Sequence, residues 1–118
     1  FVTEPKHSQQ VAYMSHKKGT TIDAHFHNPV KRVIYNTQEV LMIMRGKLRC
    51  DLYDKEQRYL KSCTIKEGDL IVLLEGGHGF SALSDIEMIE IKQGPYVGGK
   101  DKTRFVPALS PDEESPKC

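Results

Sequence analysis

Long apolar stretches are missing from this sequence. The longest uninterrupted apolar runs, Val40–Met44 and Leu70–Leu74, are five residues each, whereas a transmembrane helix needs about 20. No secretory signal is evident, although the sequence starts at Phe1 rather than at methionine, which is compatible with a segment preceding it. We therefore expect no membrane partner.

An excess of charge of either sign is also missing. The 118 residues include 17 Lys and Arg against 16 Asp and Glu, for a formal net charge of +1. Nucleic-acid-binding domains usually carry a strongly basic composition or a basic stripe, so we expect no nucleic-acid partner. The length fits one domain.

Cysteines are few. Cys50, Cys63 and Cys118 are odd in number and have no Cys-x-x-Cys spacing, which argues against a disulfide framework and against a zinc finger. Reduced thiols in the cytoplasm are the simplest expectation. Because Cys50 alternates with Leu48 and Leu52, we predict a buried core thiol there rather than a catalytic one.

Helical periodicity is absent from every stretch of ten or more residues. The sequence instead contains short segments with β-branched or aromatic residues, each bounded by turn residues. The predicted strands are Val11–His16, Ile22–His27, Glu39–Arg45, Lys47–Tyr53, Tyr59–Ile65, Leu70–Leu74, His78–Leu83 and Ile86–Lys92. Many short strands at close spacing predict an all-β sandwich or barrel.

The two ends of the sequence differ from this middle part. Residues 1–10 are polar and patternless, and are interpreted as an N-terminal arm. Residues 11–92 form the predicted β domain. Residues 93–118 leave the β pattern and are interpreted as a C-terminal extension that packs on the β domain or on a second subunit. Its last part, residues 107–118, has the composition of a disordered tail.

Several potential metal ligands stand on the predicted strands. His25 and His27 are two residues apart, so both imidazoles point to one face of a strand. Glu39 shares a face with Leu41 and Ile43, and an inward carboxylate needs a cation or a hydrogen-bonded partner because burying it alone is costly. His78 follows a glycine turn. Three nitrogens and one oxygen favour zinc, iron, manganese or nickel over calcium or magnesium.

Three segments carry a resemblance to a known family. Gly19 to His27 has the pattern Gly-x5-His-x-His, Glu39 to Gly46 has the pattern Glu-x6-Gly, and residues 68–78 form a glycine-bounded segment that ends in histidine. These segments resemble the two sequence motifs of the cupins, across roughly residues 11–92. The resemblance implies a double-stranded β-helix (jelly-roll) barrel that binds one divalent transition metal through His25, His27, Glu39 and His78.

The sequence departs from the cupin pattern in four places. Eleven residues, 28–38, separate His27 from Glu39 where the family usually has three or four. Leu74 replaces the usual proline of the second motif, the interval from Gly76 to His78 is one residue short, and Ala82 stands near the position of an expected asparagine. The interval from Glu39 to Gly46 is preserved, which indicates that this strand is intact.

The 28–38 segment is expected near the metal because it joins two ligands. Tyr35 and Lys31 are candidate proton-transfer residues, and Arg32 is a candidate contact to an anionic or hydroxylated substrate. Tyr96 and Arg104, in the C-terminal extension, are further candidate substrate contacts. The alternative for all five is a structural or solvent-facing role.

Fold alone does not fix function. Since cupins include isomerases, dioxygenases and non-catalytic sensors, the resemblance implies a metal-dependent enzyme, isomerase-type or dioxygenase-type, acting on a small polar substrate such as a carbohydrate or a hydroxy acid. The alternatives are a non-catalytic ligand-binding or sensory domain, and a metal-free isomerase with His25 or His27 as base. The resemblance also implies a homodimer, and Leu70–Leu74, apolar on both faces, offers a strand to bury in it.

Overall fold

The structure is a computed structural model that describes residues 1–107. Its internal contacts divide the chain into two units, Phe1–Tyr35 and Asn36–Cys118, which are described separately below. Nearly all of the predicted tail, and Cys118 with it, lies outside the described residues.

All regular β structure among the described residues belongs to the second unit. Its six strands are β1 (Glu39–Arg45), β2 (Lys47–Tyr53), β3 (Tyr59–Lys66), β4 (Leu70–Leu73), β5 (Gly77–Ala82) and β6 (Glu87–Lys92), followed by a short 3₁₀ helix at Gly98–Asp101. Six of the predicted strands are thus confirmed to within one residue at each end. The all-β class is confirmed as well.

The six strands form two antiparallel three-stranded sheets. Sheet A has the order β4-β1-β6 and sheet B the order β3-β2-β5. The chain crosses from sheet A to sheet B at Gly46 (φ +90°), where a Cβ would lie 2.8 Å from the Ser84 hydroxyl and would also collide with the carbonyl oxygen of Asp85. Glycine is required at this corner because it alone combines a positive φ with such a close approach.

The core lies between the inner faces of the two sheets. Alternation along β2 turns Leu48 and Cys50 inward, as predicted, and both are buried. They pack with buried side chains from the other strands, namely Leu41 and Ile43 of β1, Cys63 and Ile65 of β3 and Leu73 of β4. Each large apolar side chain buried in this way stabilises the fold by about 1.5–3 kcal/mol.

The expected closed barrel is not present in the described residues. Strands β3, β4, β5 and β6 each pair with one neighbour only, so each sheet has two edges. Closing a barrel requires every strand to hydrogen-bond on both sides. The described fold is therefore a pair of facing open sheets, and the closure expected of a jelly-roll barrel is not seen in the described residues.

The predictions of strands at Val11–His16 and Ile22–His27 are wrong for this structure. Residues 10–16 and 20–27 contain no strand, bridge or turn, and their apolar side chains are exposed: Tyr13 is 87% and Phe26 84% exposed. Strand propensity reflects packing against neighbours as much as the residue itself. Within the first unit these segments form no strand ladder with a neighbouring segment.

The first unit holds together through a few local contacts. The backbone N–H of Val2 donates to the carbonyl of Val11, and the N–H of Val11 donates to the hydroxyl of Thr3, which is buried. The Gln10 amide donates to the carbonyl of His7 at 2.6 Å. These contacts order the N-terminal arm without forming a sheet.

The outer face of sheet B carries a buried polar cluster, here called the arginine network: Arg49, Asp51, Tyr59 and Ser62. The Arg49 guanidinium donates to Asp51 at 2.9 Å and to the Ser62 hydroxyl at 3.3 Å. Ser62 donates to the same Asp51 oxygen, and the Tyr59 hydroxyl lies 2.7 Å from Ser62. Arg49 is 9% and Ser62 1% exposed. Buried charges of this kind need such partners.

The C-terminal extension also contacts the outer face of sheet B. The Phe105 ring packs edge-on against Tyr53, with ring centroids 5.2 Å apart. A Cβ at Gly77 would lie 3.1 Å from the Phe105 ring, so glycine at this position leaves the space that the ring needs. Phe105 thereby packs the C-terminal extension against sheet B of the same chain.

Most of the outer face of sheet A is apolar. Strand pairing places Val40 beside Val72 and Ile91, and Met42 beside Leu70 and Ile89. We call these six residues the apolar sheet face. Leu70, Ile89 and Ile91 are between 44% and 55% exposed, whereas Val40 at the centre is buried.

Two of the three cysteines lie in the core of the second unit. Cys50 is a free, fully buried thiol, and burial raises its pKa to about 11, which keeps it protonated and unreactive at neutral pH. The prediction of a core thiol is confirmed. Cys63, directly opposite on β3, is fully buried as well.

Candidate functional site

Glu39 is the first residue of β1 and faces the interior. It alternates with the buried Leu41 and Ile43, and its own side chain is only 10% exposed. The neighbours of Glu39 in sheet A are Leu73 of β4 and Lys92 of β6. The predicted inward carboxylate is therefore present at one end of the sheet.

His78 approaches the same point from sheet B. It is the second residue of β5 and pairs with Leu52 of β2, a residue that packs on the core. The preceding Gly76 has a φ of +87°, and a Cβ there would lie 2.7 Å from the Tyr53 carbonyl oxygen. This tight glycine turn is what starts β5 one residue before His78 and points the imidazole inward.

Glu39 and His78 meet across the two sheets. The Nε2 atom of His78 lies 3.0 Å from Oε2 of Glu39. Protein nitrogen and oxygen ligands lie about 2.0–2.2 Å from a zinc-like ion, so two ligands at a tetrahedral angle are about 3.4 Å apart. The 3.0 Å separation is within the range of a direct hydrogen bond between the two side chains, and imidazole nitrogen and carboxylate oxygen are both donor types that transition metals take.

Strand β6 adds two charged residues that the sequence did not single out. Pairing places Glu90 opposite Leu41 and Lys92 opposite Glu39, so both share the inner face of sheet A. The Lys92 ammonium lies 3.7 Å from the Glu90 carboxylate. The alternation of residues along β6 did not identify its inner face, because the outer face carries the apolar Ile89 and Ile91.

Phe80 supplies an aromatic surface next to His78. Phe80 pairs with Cys50 and so shares the inner face of sheet B. Its ring centroid is 5.2 Å from that of His78, and 37% of the residue is exposed. An accessible aromatic ring beside polar side chains is the usual composition of a small-molecule site.

His25 and His27 belong to the first unit. Their rings are 5.3 Å apart in an edge-to-face arrangement, so the two imidazoles are close together as expected from their spacing. Nδ1 of His25 lies 2.8 Å from the backbone carbonyl of Asp23. A hydrogen bond of this kind leaves Nε2 as the nitrogen available to a metal.

The five other predicted site residues are exposed. Tyr35 is 92% and Tyr96 85% exposed, and Lys31, Arg32 and Arg104 are exposed too. Roles in catalysis or substrate binding stay predictions for all five.

The described residues contain neither a cluster of metal ligands nor a membrane-spanning helix. No group of three or more His, Cys, Asp or Glu side chains there is arranged to hold a metal ion. No helix within residues 1–107 is long and apolar enough to cross a membrane. Of the four predicted ligands, the structure therefore pairs Glu39 with His78 in the second unit and His25 with His27 in the first.

Comparison with known proteins adds no family assignment. No protein-family model, curated protein or solved structure matches this chain.

Proposed function

We propose that this chain is a cupin-type domain that binds one divalent transition metal. The observation that carries the proposal is the 3.0 Å contact between Glu39 and His78, two residues of different sheets that the cupin motifs nominate as ligands. A carboxylate this buried needs a cation or a donor. The motif supplies His25 and His27 as the remaining ligands, and their part in the site rests on the sequence. Zinc, iron, manganese and nickel fit the donor set.

An enzymatic function is our leading proposal for such a site. A bound metal would supply Lewis acidity, or dioxygen chemistry in the case of iron. The protein would hold a small polar substrate, with a carbohydrate or a hydroxy acid as the first candidates. We propose Tyr35 or Lys31 as the group that moves a proton and Arg32, Tyr96 and Arg104 as substrate contacts, with the cytoplasm as the location.

The alternative is a ligand-binding or sensory domain without turnover. The exposed Phe80 ring beside His78 suits either function, because both need an aromatic contact to a small ligand. The two functions differ in whether the bound ligand changes chemically.

A substrate screen separates these two functions. We expect the metal-loaded protein to convert at least one member of a panel of aldoses, ketoses and hydroxy acids, monitored by NMR and by oxygen uptake. His78→Ala should reduce that turnover at least about 100-fold, since it removes a proposed ligand, and the control His16→Ala should leave it unchanged. Saturable ligand binding without turnover would favour the sensory alternative.

We further propose that the protein is a homodimer formed through the apolar sheet face. Contiguous apolar patches on a protein surface usually mark an interaction site. The six residues of this face are contiguous across the three strands, with the charged Glu87 and Arg45 paired at one end of them, and an isologous dimer buries the same patch on both subunits. A second copy of the chain is therefore the occupant we propose.

A charge on the apolar sheet face should disrupt the dimer. We expect the wild-type protein to have twice its chain mass of 13.4 kDa by light scattering, and Ile89→Glu to be monomeric because a buried unpaired carboxylate opposes association. Leu60→Glu is the matched control, since Leu60 is exposed on sheet B and lies outside this face. A monomeric wild type, or dimeric Ile89→Glu, would contradict the proposed interface.

A further inference from the structure

Lys92 is the one basic residue on the inner face of sheet A among the described strands. It lies directly opposite Glu39, the carboxylate that contacts His78. Residues opposite each other in an antiparallel pair have Cβ atoms about 4.5–5.5 Å apart. The base of the Lys92 side chain is therefore next to the proposed metal ligand, on the opposite side of it from β4.

The Lys92 ammonium is only weakly engaged within the protein. Its ion pair with Glu90 spans 3.7 Å, which is longer than a hydrogen bond. The Lys92 side chain is 31% and the Glu90 side chain 48% exposed. Exposed ion pairs of this type contribute little to stability. The ion pair with Glu90 therefore does not explain why a lysine occupies this inward-facing position.

With the proposed metal bound, the local charge would favour an anionic ligand. Glu39 and Glu90 are two carboxylates and Lys92 is one ammonium, a formal charge of −1 that a divalent metal would bring to +1. The buried Leu41, opposite Glu90, lies on the same inner face as Lys92, and apolar surroundings strengthen the attraction between an ammonium and an anion.

We propose that Lys92 is a specificity-determining residue that binds an anionic group of the ligand, a carboxylate or a phosphate. The proposal rests on the proposed function, because it places this anion beside the Glu39–His78 pair. It selects acids, such as hydroxy acids, sugar acids or phosphate esters, over neutral polyols. The shared chemistry is an anionic oxygen that accepts hydrogen bonds from the ammonium.

Calorimetric titration of the zinc-loaded protein tests this proposal. The probes are sodium glycolate, inorganic phosphate and neutral ethylene glycol, with zinc content measured on each sample. We expect an anion to bind and ethylene glycol not to bind, and the preferred anion distinguishes a carboxylate from a phosphate ligand. Lys92→Gln should weaken anion binding about tenfold or more, with zinc content unchanged, and Lys92→Arg should retain most of the affinity.

Two control variants separate binding from a structural role. Lys66→Gln removes a charge from an exposed lysine on sheet B and should not alter anion affinity. Glu90→Gln should maintain or increase the affinity, because it removes the carboxylate that competes for Lys92. If Lys92→Gln kept its full zinc content and bound the anion as tightly as the wild type, the proposed role of Lys92 would be refuted and the proposed metal site would not. A wild type that takes up none of zinc, iron, manganese and nickel would refute the proposed function, and one that takes up zinc without binding either anion would overturn the Lys92 proposal.

Discussion

Asp51→Ala is expected to lower the free energy of unfolding by about 3–5 kcal/mol, the typical cost of removing one partner of a buried ion pair. Asp51 accepts hydrogen bonds from both Arg49 and Ser62. Its side chain is 13% and that of Arg49 10% exposed. Without the carboxylate, the guanidinium stays buried with no counter-charge.

Urea titration followed by circular dichroism measures this loss. Glu67→Ala is the control, because Glu67 is an exposed carboxylate in the β3–β4 turn and should change stability by less than about 0.5 kcal/mol. The double variant Arg49→Met with Asp51→Leu should be more stable than Asp51→Ala, since it removes both charges together. A loss in Asp51→Ala no larger than that in Glu67→Ala would show that the arginine network is not buried in solution.

Glu39→Gln and His78→Ala are each expected to weaken metal binding at least about 100-fold. Substituting residues that only support metal ligands already costs about 10–100-fold in affinity, and removing a ligand should cost more. Glutamine keeps the shape of Glu39 but loses the charge that a divalent ion attracts. Competition with a chromophoric chelator measures the affinity of each variant.

Matched controls test whether the effect belongs to the Glu39–His78 pair. Glu90→Gln removes an inner-face carboxylate that is not a proposed ligand, and His16→Ala removes an exposed histidine. Both should bind metal within about threefold of the wild type, well below the loss expected for a ligand. If Glu39→Gln bound metal as the controls do, Glu39 would not be a ligand.

The strands of the second unit could be predicted from the sequence because their boundaries are marked by turn chemistry. Gly46 separates β1 from β2, and Glu67–Asp69 separates β3 from β4. Strand β2 has one apolar and one polar face, so its inward-facing residues could be predicted from the alternation. The approach of His78 to Glu39 was predicted by the cupin resemblance rather than by periodicity, since the two residues lie on different sheets.

Other features could not be predicted from the sequence. Strand β6 has apolar residues on both faces, so periodicity did not show that Glu90 and Lys92 are on the inner face. The segments 11–16 and 22–27 have strand-like composition, but a strand also needs a hydrogen-bonded neighbour, and sequence alone does not supply one. The buried position of Arg49 could not be predicted, because alternation places it on the polar face of β2 and does not show whether that face is covered.

Elemental analysis of the wild-type protein tests the central claim most directly. The protein would be stripped with a chelator, refilled separately with zinc, iron, manganese and nickel, freed of excess ion and analysed by plasma mass spectrometry. We predict about one equivalent of at least one of these metals per chain, as expected for a single site of three nitrogens and one oxygen. Metal no higher than background for all four ions would contradict the proposed cupin metal site.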